Sequence, residues 1–357
     1  MIDSPREQRA RTFVVAEDSS GETSPGAARS THITFTRATS AAEWDPLVAA
    51  SPGATGFHDW SWLRLMADVF GWTFHPLVVH ENGRSVGVFP VLMRPSLLPR
   101  PAEPPFPYVG PLVPDALLGA TIGAFRRWQI RHGRPFVRFE FGPGSAEAAR
   151  RTFTGTRADW KPDRTIIVDL AGCTPETLTA GMKKGARHAL RTAERNDVRI
   201  RPSLPGELTE LLPDVLGEAY TSRGVPSPYP DDIGARIEAW AVGRDDVYIA
   251  TAIVGDESVG ALVALAGHPV VTGWAGGSLR AHRAANPSTA LYHDMLQWAL
   301  RRGHTSVDLV GYVDEGISRF KKSFGGVEQP YLTVISSLVP DAVLSAGATV
   351  RRSTRSG

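Results

Sequence analysis

The sequence predicts an α/β (α+β) fold of two tandem domains, each a mixed central sheet flanked by helices. One pattern of strand and helix signals occurs twice, about 170 residues apart. A repeat period of this length is typical of two related domains rather than of a solenoid built from short repeats. A chain of 357 residues is also long enough to bury two cores of ordinary size.

The first copy of the pattern starts with a hairpin at residues 75–92. Two apolar runs flank Asn82-Gly83 there, and an Asn-Gly pair in that position favours a tight turn between two strands. Residues 126–141 follow with a helical stretch, a glycine at Gly133 that ends it, and another strand.

The second copy repeats both parts. Residues 246–265 predict another hairpin, and residues 297–311 predict a helix, a glycine and a strand. Three pairs of corresponding positions keep their residue type: Trp128 and Trp298, Gly133 and Gly303, and Gly87 and Gly260. This agreement in order and in residue type indicates a duplication.

The domain boundaries follow from composition. The start and the end of the chain lack apolar periodicity, and both are expected to be disordered. Gly142-Pro143-Gly144 and the stretch around Trp160 interrupt the pattern between the copies. We therefore predict a disordered tail at 1–31, a first domain at 32–155, a second domain at 164–343 and a disordered tail at 344–357.

Composition excludes several classes of protein. The single cysteine, Cys173, excludes an internal disulfide framework and a cysteine-based zinc site. His188, His293 and His304 lack metal-ligand spacing with a second ligand, so no metal is predicted. No secretory leader or apolar run of membrane-spanning length is found, and the net charge is +2. We expect a cytoplasmic monomer without a membrane span.

A basic helix is predicted near the start of the second domain. Thr174 is a suitable N-cap, Pro175 suits the first helical position, and the helix is expected to run toward Asn196 with a break at Gly185. Lys184, Arg187, Arg191 and Arg195 are three or four residues apart and share one face. That face is either solvated or binds an anion.

The most specific motif lies at residues 303–326. It places Asp308 at the end of a strand and continues as Gly316-Ile-Ser-Arg-Phe-Lys-Lys-Ser-Phe-Gly-Gly. Together with Met182-Lys-Lys-Gly-Ala-Arg-His in the basic helix, this motif resembles the Fem-type peptidyltransferases and their GNAT-like relatives, which are built from two GNAT-type domains. The resemblance extends over about residues 33–335.

The resemblance implies a reaction. Fem-type enzymes move an amino acid from aminoacyl-tRNA onto the free amine of an acceptor, here a small molecule or a peptide-like compound. Lys321 corresponds to the family's lysine and is expected to contact phosphate and the developing charge at the ester, and Phe320 to shape the acceptor channel. A cation there stabilises the oxyanion more than the ground state. Asp308 is either a base or the structural partner of a basic residue.

Further candidates come from the surroundings of these motifs. Consecutive residues seldom face one site, so Lys322 is a weaker candidate than Lys321. The basic helix at 183–201 is the candidate tRNA surface, because no heptads predict a coiled-coil arm. Loop 221–230 and the aromatic segment around His58 can line an acceptor site. The candidate substrate-binding residues are Lys184, Arg187, Arg191, Lys322, Tyr312, Arg223, Asp59 and Trp60.

The choice of donor depends on one loop. GNAT enzymes that use acetyl-CoA hold its pyrophosphate on a glycine-rich loop at a helix start, whereas residues 278–296 contain no Gly-x-Gly. Pro287 begins a helix there, with Asn286 or Ser288 as cap and Arg280 and Arg283 just ahead. This disfavours CoA, and no cofactor is expected beyond the tRNA substrate. An acyl-CoA-dependent N-acyltransferase and a non-catalytic binding protein remain as alternatives.

Overall fold

The computed structural model describes residues 31–95, 101–154, 156, 158–267, 269–311 and 314–338. The two predicted disordered tails lie outside these residues, apart from Thr31, and so does Tyr312.

The first repeat combines three strands of its own with helices. The elements are β1 (Ile33–Arg37), α1 (Ala41–Ala49), α2 (Trp60–Phe70), β2 (Thr73–Glu81), β3 (Arg84–Met93), α3 (Asp115–Arg131), β4 (Phe136–Phe141) and α4 (Ala146–Phe153). β2 and β3 form a hairpin, and β1 pairs with β2 at its edge. The turn residues Asn82 and Gly83 have positive φ angles of 48° and 85°.

The second repeat supplies most of a larger mixed sheet. The elements are β5 (Asp159–Asp169), α5 (Pro175–Gly181), α6 (Lys184–Arg195), β6 (Val198–Pro202), α7 (Glu207–Thr221), α8 (Ile233–Ala241), β7 (Val247–Val254), β8 (Glu257–Ala266), β9 (Val270–Ser278), α9 (Pro287–Arg301), β10 (Ser306–Asp308), α10 (Glu315–Lys322) and β11 (Val327–Ser337). The strand order of the larger sheet is β4-β11-β5-β10-β9-β8-β7-β6, with β10 parallel to β9.

The two repeats share this larger sheet. β4 belongs to the first repeat by sequence, yet it pairs with β11 of the second, in the register Thr333 opposite Glu140. An irregular segment takes the place of a strand between β3 and β4: Leu112 bonds to Val88, and Val109 accepts from the N–H of Glu140. The prolines before this segment have no backbone N–H and cannot donate to a regular ladder of strand hydrogen bonds. The three strands in the first repeat's own sheet all pair antiparallel.

The predicted duplication is confirmed at corresponding positions. Gly133 and Gly303 end their helices with positive φ angles of 61° and 77°. A Cβ on Gly87 would lie 1.9 Å from the Leu112 carbonyl oxygen, and one on Gly260 would lie 2.6 Å from that of Gly277. Each glycine is therefore needed for a close approach of two backbones.

Apolar packing joins the repeats. One core cluster contains Trp44 and Trp62 of the first repeat together with Leu212 and Val263 of the second. Two further clusters lie on the opposite sides of the sheets, one beneath α3 and α4 and the other beneath α9.

The start of the basic helix differs in one detail from the prediction. The Thr174 hydroxyl accepts from the N–H of Thr177, as expected for an N-cap. The break comes at Met182 and Lys183, ahead of Gly185, because both residues are extended and the Met182 side chain is buried. In the described part of the chain, no helix combines the length and apolar character needed to span a bilayer.

Candidate active site

Strands β9 and β10 run side by side for three residues and then separate. Asp308 lies opposite Thr272 at the last paired position. Beyond it, β9 continues beside β8 alone, while the chain after β10 turns away through Val310 and Gly311, whose φ angles are 50° and 65°. The separation creates an opening in the sheet, and Asp308 lies at its apex.

Asp308 is a buried carboxylate, 2% exposed, that accepts three hydrogen bonds. Oδ1 accepts from the Thr165 hydroxyl at 2.5 Å and from the N–H of Val310 at 2.8 Å, and Oδ2 accepts from the Tyr108 hydroxyl at 2.8 Å. Burial raises the pKa of Asp308, and the three donors and the charge of Lys321 oppose that shift.

Tyr108 reaches this carboxylate from the first repeat. It is 1% exposed and has a φ of 70°, a backbone conformation that a bulky residue seldom adopts. Its N–H donates to Glu140 at 3.3 Å, and its ring lies edge-on to Tyr331 at 5.3 Å. Burial and the Asp308 charge raise the pKa of the Tyr108 phenol, so the hydroxyl remains a donor.

Lys321 is buried on α10 and is 8% exposed. Its Nζ donates to the carbonyl oxygens of Val310 and, at 3.3 Å, Gly311. Burial lowers the pKa of Lys321 to about 8, with Asp308 acting in the opposite direction and Arg223 in the same direction. Among the described residues, no carboxylate forms an ion pair with this ammonium.

Two hydroxyls near these groups have no hydrogen-bond partner among the described residues. Ser318 Oγ lies on the same helix as Lys321, and Thr272 Oγ1 lies on β9 opposite Asp308. Both residues are buried. Buried polar groups are normally paired, so each of these two hydroxyls calls for an explanation.

Arg223 lies close enough to Lys321 for its charge to act on that ammonium. Its guanidinium stacks on the Tyr220 ring at 4.2 Å, its Nε donates to Ala219 at 3.0 Å, and its charge acts on Lys321. Of the predicted substrate-binding residues, it is the one whose electrostatic effect on Lys321 is evident.

Phe320 and Lys322, the neighbours of Lys321, point elsewhere. The Phe320 ring packs against Tyr292 and Phe324, 5.2 and 5.1 Å away, at the edge of the second repeat's core. Lys322 contacts Glu328, which also accepts from Arg164 at 3.1 Å. The consecutive side chains of Phe320, Lys321 and Lys322 therefore point in three different directions from α10.

The basic helix begins beside the end of α10, where the N–H of Lys183 donates to the Ser323 carbonyl at 2.8 Å. Arg187 donates to the carbonyl oxygens of Met182 and, at 2.7 Å, Ala180, so it stabilises the end of α5. Lys184 and Arg191 are exposed.

Asp59 and Trp60 belong to a different cluster. Asp59 caps α2 by accepting from the N–H of Trp62 at 2.8 Å, and it forms an ion pair with Arg244 of the second repeat at 3.1 Å. Trp60 packs against Trp44 and Phe74. The Asp59–Arg244 ion pair joins the repeats, and the described contacts of Asp59 and Trp60 do not include Lys321 or Asp308.

Two surface grooves lie away from the apex. One, of about 530 Å³, is lined by Trp60 and Arg64 among others, and the other, of about 520 Å³, by Leu204 and Arg244 among others. A groove provides space, whereas buried ionisable groups with shifted pKa values provide chemistry, so we place the candidate site at Lys321. No group of three or more His, Cys, Asp or Glu within the described ranges is arranged to hold a metal.

The loop before α9 lacks a glycine turn. Residues Arg280–Ala285 form a 3-10 helix, and Asn286, with φ of 60°, precedes α9 without a side-chain cap bond. The Ser288 hydroxyl instead bonds to that of Ser278 at 2.8 Å, and the N–H of Arg280 donates to Glu218 at 2.6 Å.

Sequence reasoning missed Tyr108, Thr165 and Ser318 as residues of this site. Tyr108 and Asp308 are 200 positions apart, so no local pattern links them. Ser318 is three positions before Lys321, and this helical spacing is a signal that could have identified it.

Comparisons with known proteins agree with this architecture. Residues 180–322 match the family described as the acetyltransferase (GNAT) domain. FemX has a similar structure, with a TM-score of 0.64 at 12% identity, over 84% of this chain and 96% of FemX. A tandem GNAT protein from the clavulanic acid biosynthesis pathway gives 0.53 at 17% identity, over 87% and 99% of the two chains. L-PGS from Bacillus licheniformis gives 0.50 at 13%, over 85% and 94%. No curated protein matches the chain.

At these identities, the structural likeness concerns the fold, and the family match concerns the second repeat. The likeness to a tandem GNAT protein agrees with the predicted two-domain layout. Residues 180–322 therefore match the acetyltransferase (GNAT) domain family, and the chain as a whole shares its fold with FemX and with the tandem GNAT protein.

Proposed function

We propose that this protein transfers an amino acid from aminoacyl-tRNA to the free amine of a small-molecule or peptide-like acceptor and so forms an amide bond. The observation that supports this most is the buried Lys321 ammonium beside the apex. Two carbonyl oxygens hold it, and no carboxylate of the described residues neutralises it. A fixed cation in a site of low polarity is suited to stabilise negative charge that develops on an ester.

The reaction needs little else from the protein. The neutral acceptor amine attacks the ester carbonyl, a C–N bond forms, and the carbonyl oxygen becomes an oxyanion that accepts a hydrogen bond from Lys321. The oxyanion then collapses, the C–O bond to the ribose breaks, and the proton lost by the amine ends on the ribose oxygen. Because the oxyanion exists only along the reaction path, this contact accelerates the chemical step.

Asp308 and Tyr108 are proposed as positioning residues for this cation. Three hydrogen bonds to Asp308 favour its ionised form, and its charge favours the protonated form of Lys321. Because Asp308 already accepts three donors, we favour this role over that of a general base.

The phosphates of the donor are proposed to bind the exposed cations of α6, which include Lys184 and Arg191. This helix starts beside the end of α10. Contacts of this kind release counterions, so binding of tRNA is expected to weaken steeply with salt.

The second candidate is an acyl-CoA-dependent N-acyltransferase. The match of residues 180–322 to a GNAT acetyltransferase domain favours it. The 3-10 helix with Arg280 and Arg283 before α9 takes the place of a glycine-rich loop, and this difference weighs against CoA. In either case the acyl carbonyl is expected to meet Lys321.

Thermal unfolding with acetyl-CoA, with charged tRNA and with uncharged tRNA distinguishes these functions. A ligand at about 100 times its Kd stabilises the folded protein by about 2.7 kcal/mol. A salt-sensitive shift with charged tRNA is the expected result. A shift with acetyl-CoA alone would establish the second candidate instead, and no shift with any of the three would favour a non-catalytic binding protein.

A further inference from the structure

The buried side of α10 carries two polar groups. Of its eight residues, the two that are buried are Ser318 and Lys321. A short helix at a domain core normally places apolar side chains there. The sequence instead places a hydroxyl and an ammonium, three residues apart.

The Ser318 hydroxyl has no hydrogen-bond partner in the described part of the chain, although the residue is 2% exposed. The matched hydroxyl of Ser323, just past the end of the same helix, donates to the Phe320 carbonyl at 2.5 Å. Leaving a buried hydroxyl unpaired costs stability, because the group loses its bonds to water on folding. An unpaired donor beside the proposed catalytic cation points to a partner supplied by the substrate.

The two donors lie on the same buried side of α10. Cβ atoms three positions apart on a helix are about 5–6 Å apart, and long helical side chains run toward the N-terminus of the helix. The Lys321 stem follows this direction, because its Nζ meets the carbonyl oxygens of Val310 and Gly311, which precede α10. The lysine therefore passes along the face that carries Ser318.

We infer that Ser318 donates a second hydrogen bond, beside that of Lys321, to the carbonyl oxygen of the acyl donor. This inference rests on the proposed function and adds to it a residue in contact with the reacting atoms. A carbonyl oxygen has two lone pairs, and both donors meet it as the amine adds and the oxygen becomes negative. When the C–O bond of the ester breaks, the oxygen returns to a carbonyl and the contact weakens, so the two donors favour the transition state.

The test compares Ser318→Ala with the matched control Ser323→Ala. Transfer of labelled amino acid from a mixed pool of charged tRNAs to hydroxylamine is measured above the spontaneous rate, together with thermal unfolding. We expect Ser318→Ala to lower kcat/KM about 100-fold with no fall in Tm. Ser323→Ala is expected to lower Tm and to keep its activity. Ser318→Thr, which retains the hydroxyl, is expected to keep more activity than Ser318→Ala.

The outcomes separate the inference from the proposed function. If Ser318→Ala is as active as the wild type while Lys321→Ala is inactive, the inference is overturned and the proposed function stands. A fall in Tm for Ser318→Ala like that for Ser323→Ala also overturns it, since the hydroxyl then has a structural partner. If the wild type transfers only from acetyl-CoA, the proposed donor is wrong, and the same variants test Ser318 on that thioester. A wild type inactive with both donors overturns both.

Discussion

The two repeats contain corresponding helices of equal length, α4 and α10, whose buried sides differ in chemistry. Each has eight residues and follows the strand that comes after the long helix of its repeat. α4 buries Ala148, Ala149 and Phe153 against an apolar cluster, whereas α10 buries Ser318 and Lys321. On the proposed function, the duplicated scaffold keeps one copy of this helix for packing and uses the other for chemistry.

The buried charged residues of the two repeats also differ in their partners. Arg138 and Glu140 of the first repeat contact each other, and Glu140 also accepts from Thr333 at 3.3 Å. Lys321 of the second repeat has only carbonyl oxygens as described hydrogen-bond partners. A directly paired charge contributes structure, while a cation whose described hydrogen bonds go only to carbonyl oxygens can still bind an anionic group.

Replacing Lys321 is the largest expected effect. Lys321→Met removes the cation and keeps the length of the side chain, so transfer is expected to fall by about 10³-fold, near the upper end for loss of one oxyanion donor. The neighbouring Lys322→Met is the control, and its activity is expected to stay within a few-fold of the wild type. Rates under single-turnover conditions with charged tRNA measure both. Equal losses in the two variants would remove the distinction between the buried and the paired lysine.

The same variant has a pH signature in stability. The folded pKa of Lys321 is lowered to about 8 from 10.5, so the buried ammonium costs stability below pH 8, and this cost is relieved as pH rises toward 10.5. From pH 8 to 10.5, the unfolding free energy of the wild type is therefore expected to rise relative to that of Lys321→Met. The rise is up to about 3 kcal/mol, at about 1.4 kcal/mol per pKa unit. Urea unfolding at several pH values checks this, and a constant difference between the two proteins would contradict it.

Asp308→Asn tests the electrostatic link to Lys321. Loss of the carboxylate charge is expected to lower the pKa of Lys321 further, because the charges of Asp308 and Asp314 oppose the lowering that burial causes. Transfer then declines at a lower pH than in the wild type. Of the chain's 39 lysines and arginines, five are lysines, so carbon-13 labelling of lysine gives few signals, and NMR can follow the titration of Lys321. An unchanged titration would remove Asp308 from the account.

A polar substitution on the buried side of α4 tests whether α4 and α10 differ in what they bury. Ala149→Ser places an unpartnered hydroxyl in an apolar cluster and is expected to cost about 1–2 kcal/mol of unfolding free energy. Ser318→Ala in α10 is expected to cost nothing. Unfolding curves of the two variants decide the matter, and similar losses in both would show that the two helices serve packing alike.

Tyr108→Phe is expected to have the smallest effect. It removes one of the three donors to Asp308 and leaves the ring packed against Tyr331. Asp308 then takes up a proton more readily, so transfer is expected to fall by roughly 10-fold or less near neutral pH, in line with the loss of one hydrogen bond to a charged group. Its acid limb is expected to move to higher pH. A pH profile identical to that of the wild type would make Tyr108 purely structural.

The fold was largely predictable because its signals are local. Asn82-Gly83, Gly133 and Gly303 fix turns and helix ends from their own conformational preferences, and their repetition predicts the duplication. The pairing of β4 with β11 was not predictable, because strand partners in a sheet depend on tertiary contacts. The sequence likewise has no pattern that predicts an irregular segment around Leu112 in place of a strand.

The site was predictable in part for the same reason. Asp308 and Lys321 lie in one motif, and the structure places both at the opening. Tyr108 comes from the other repeat, and only the folded chain brings it to Asp308. Asp59 stood out among aromatic residues, but its ion pair is with Arg244, which is 185 positions away. Tyr312 lies outside the described residues, and its role stays a prediction.

The most direct test of the central claim observes Lys321 while substrate binds. With carbon-13-labelled lysine, the Lys321 signal is expected to titrate near pH 8 in the free protein. Adding aminoacyl-tRNA at neutral pH is expected to shift that signal more than adding uncharged tRNA does, because only the charged tRNA brings an acyl carbonyl to the ammonium. A Lys321 signal that titrates with those of the other four lysines, or that is unaffected by the acyl group, would contradict the account.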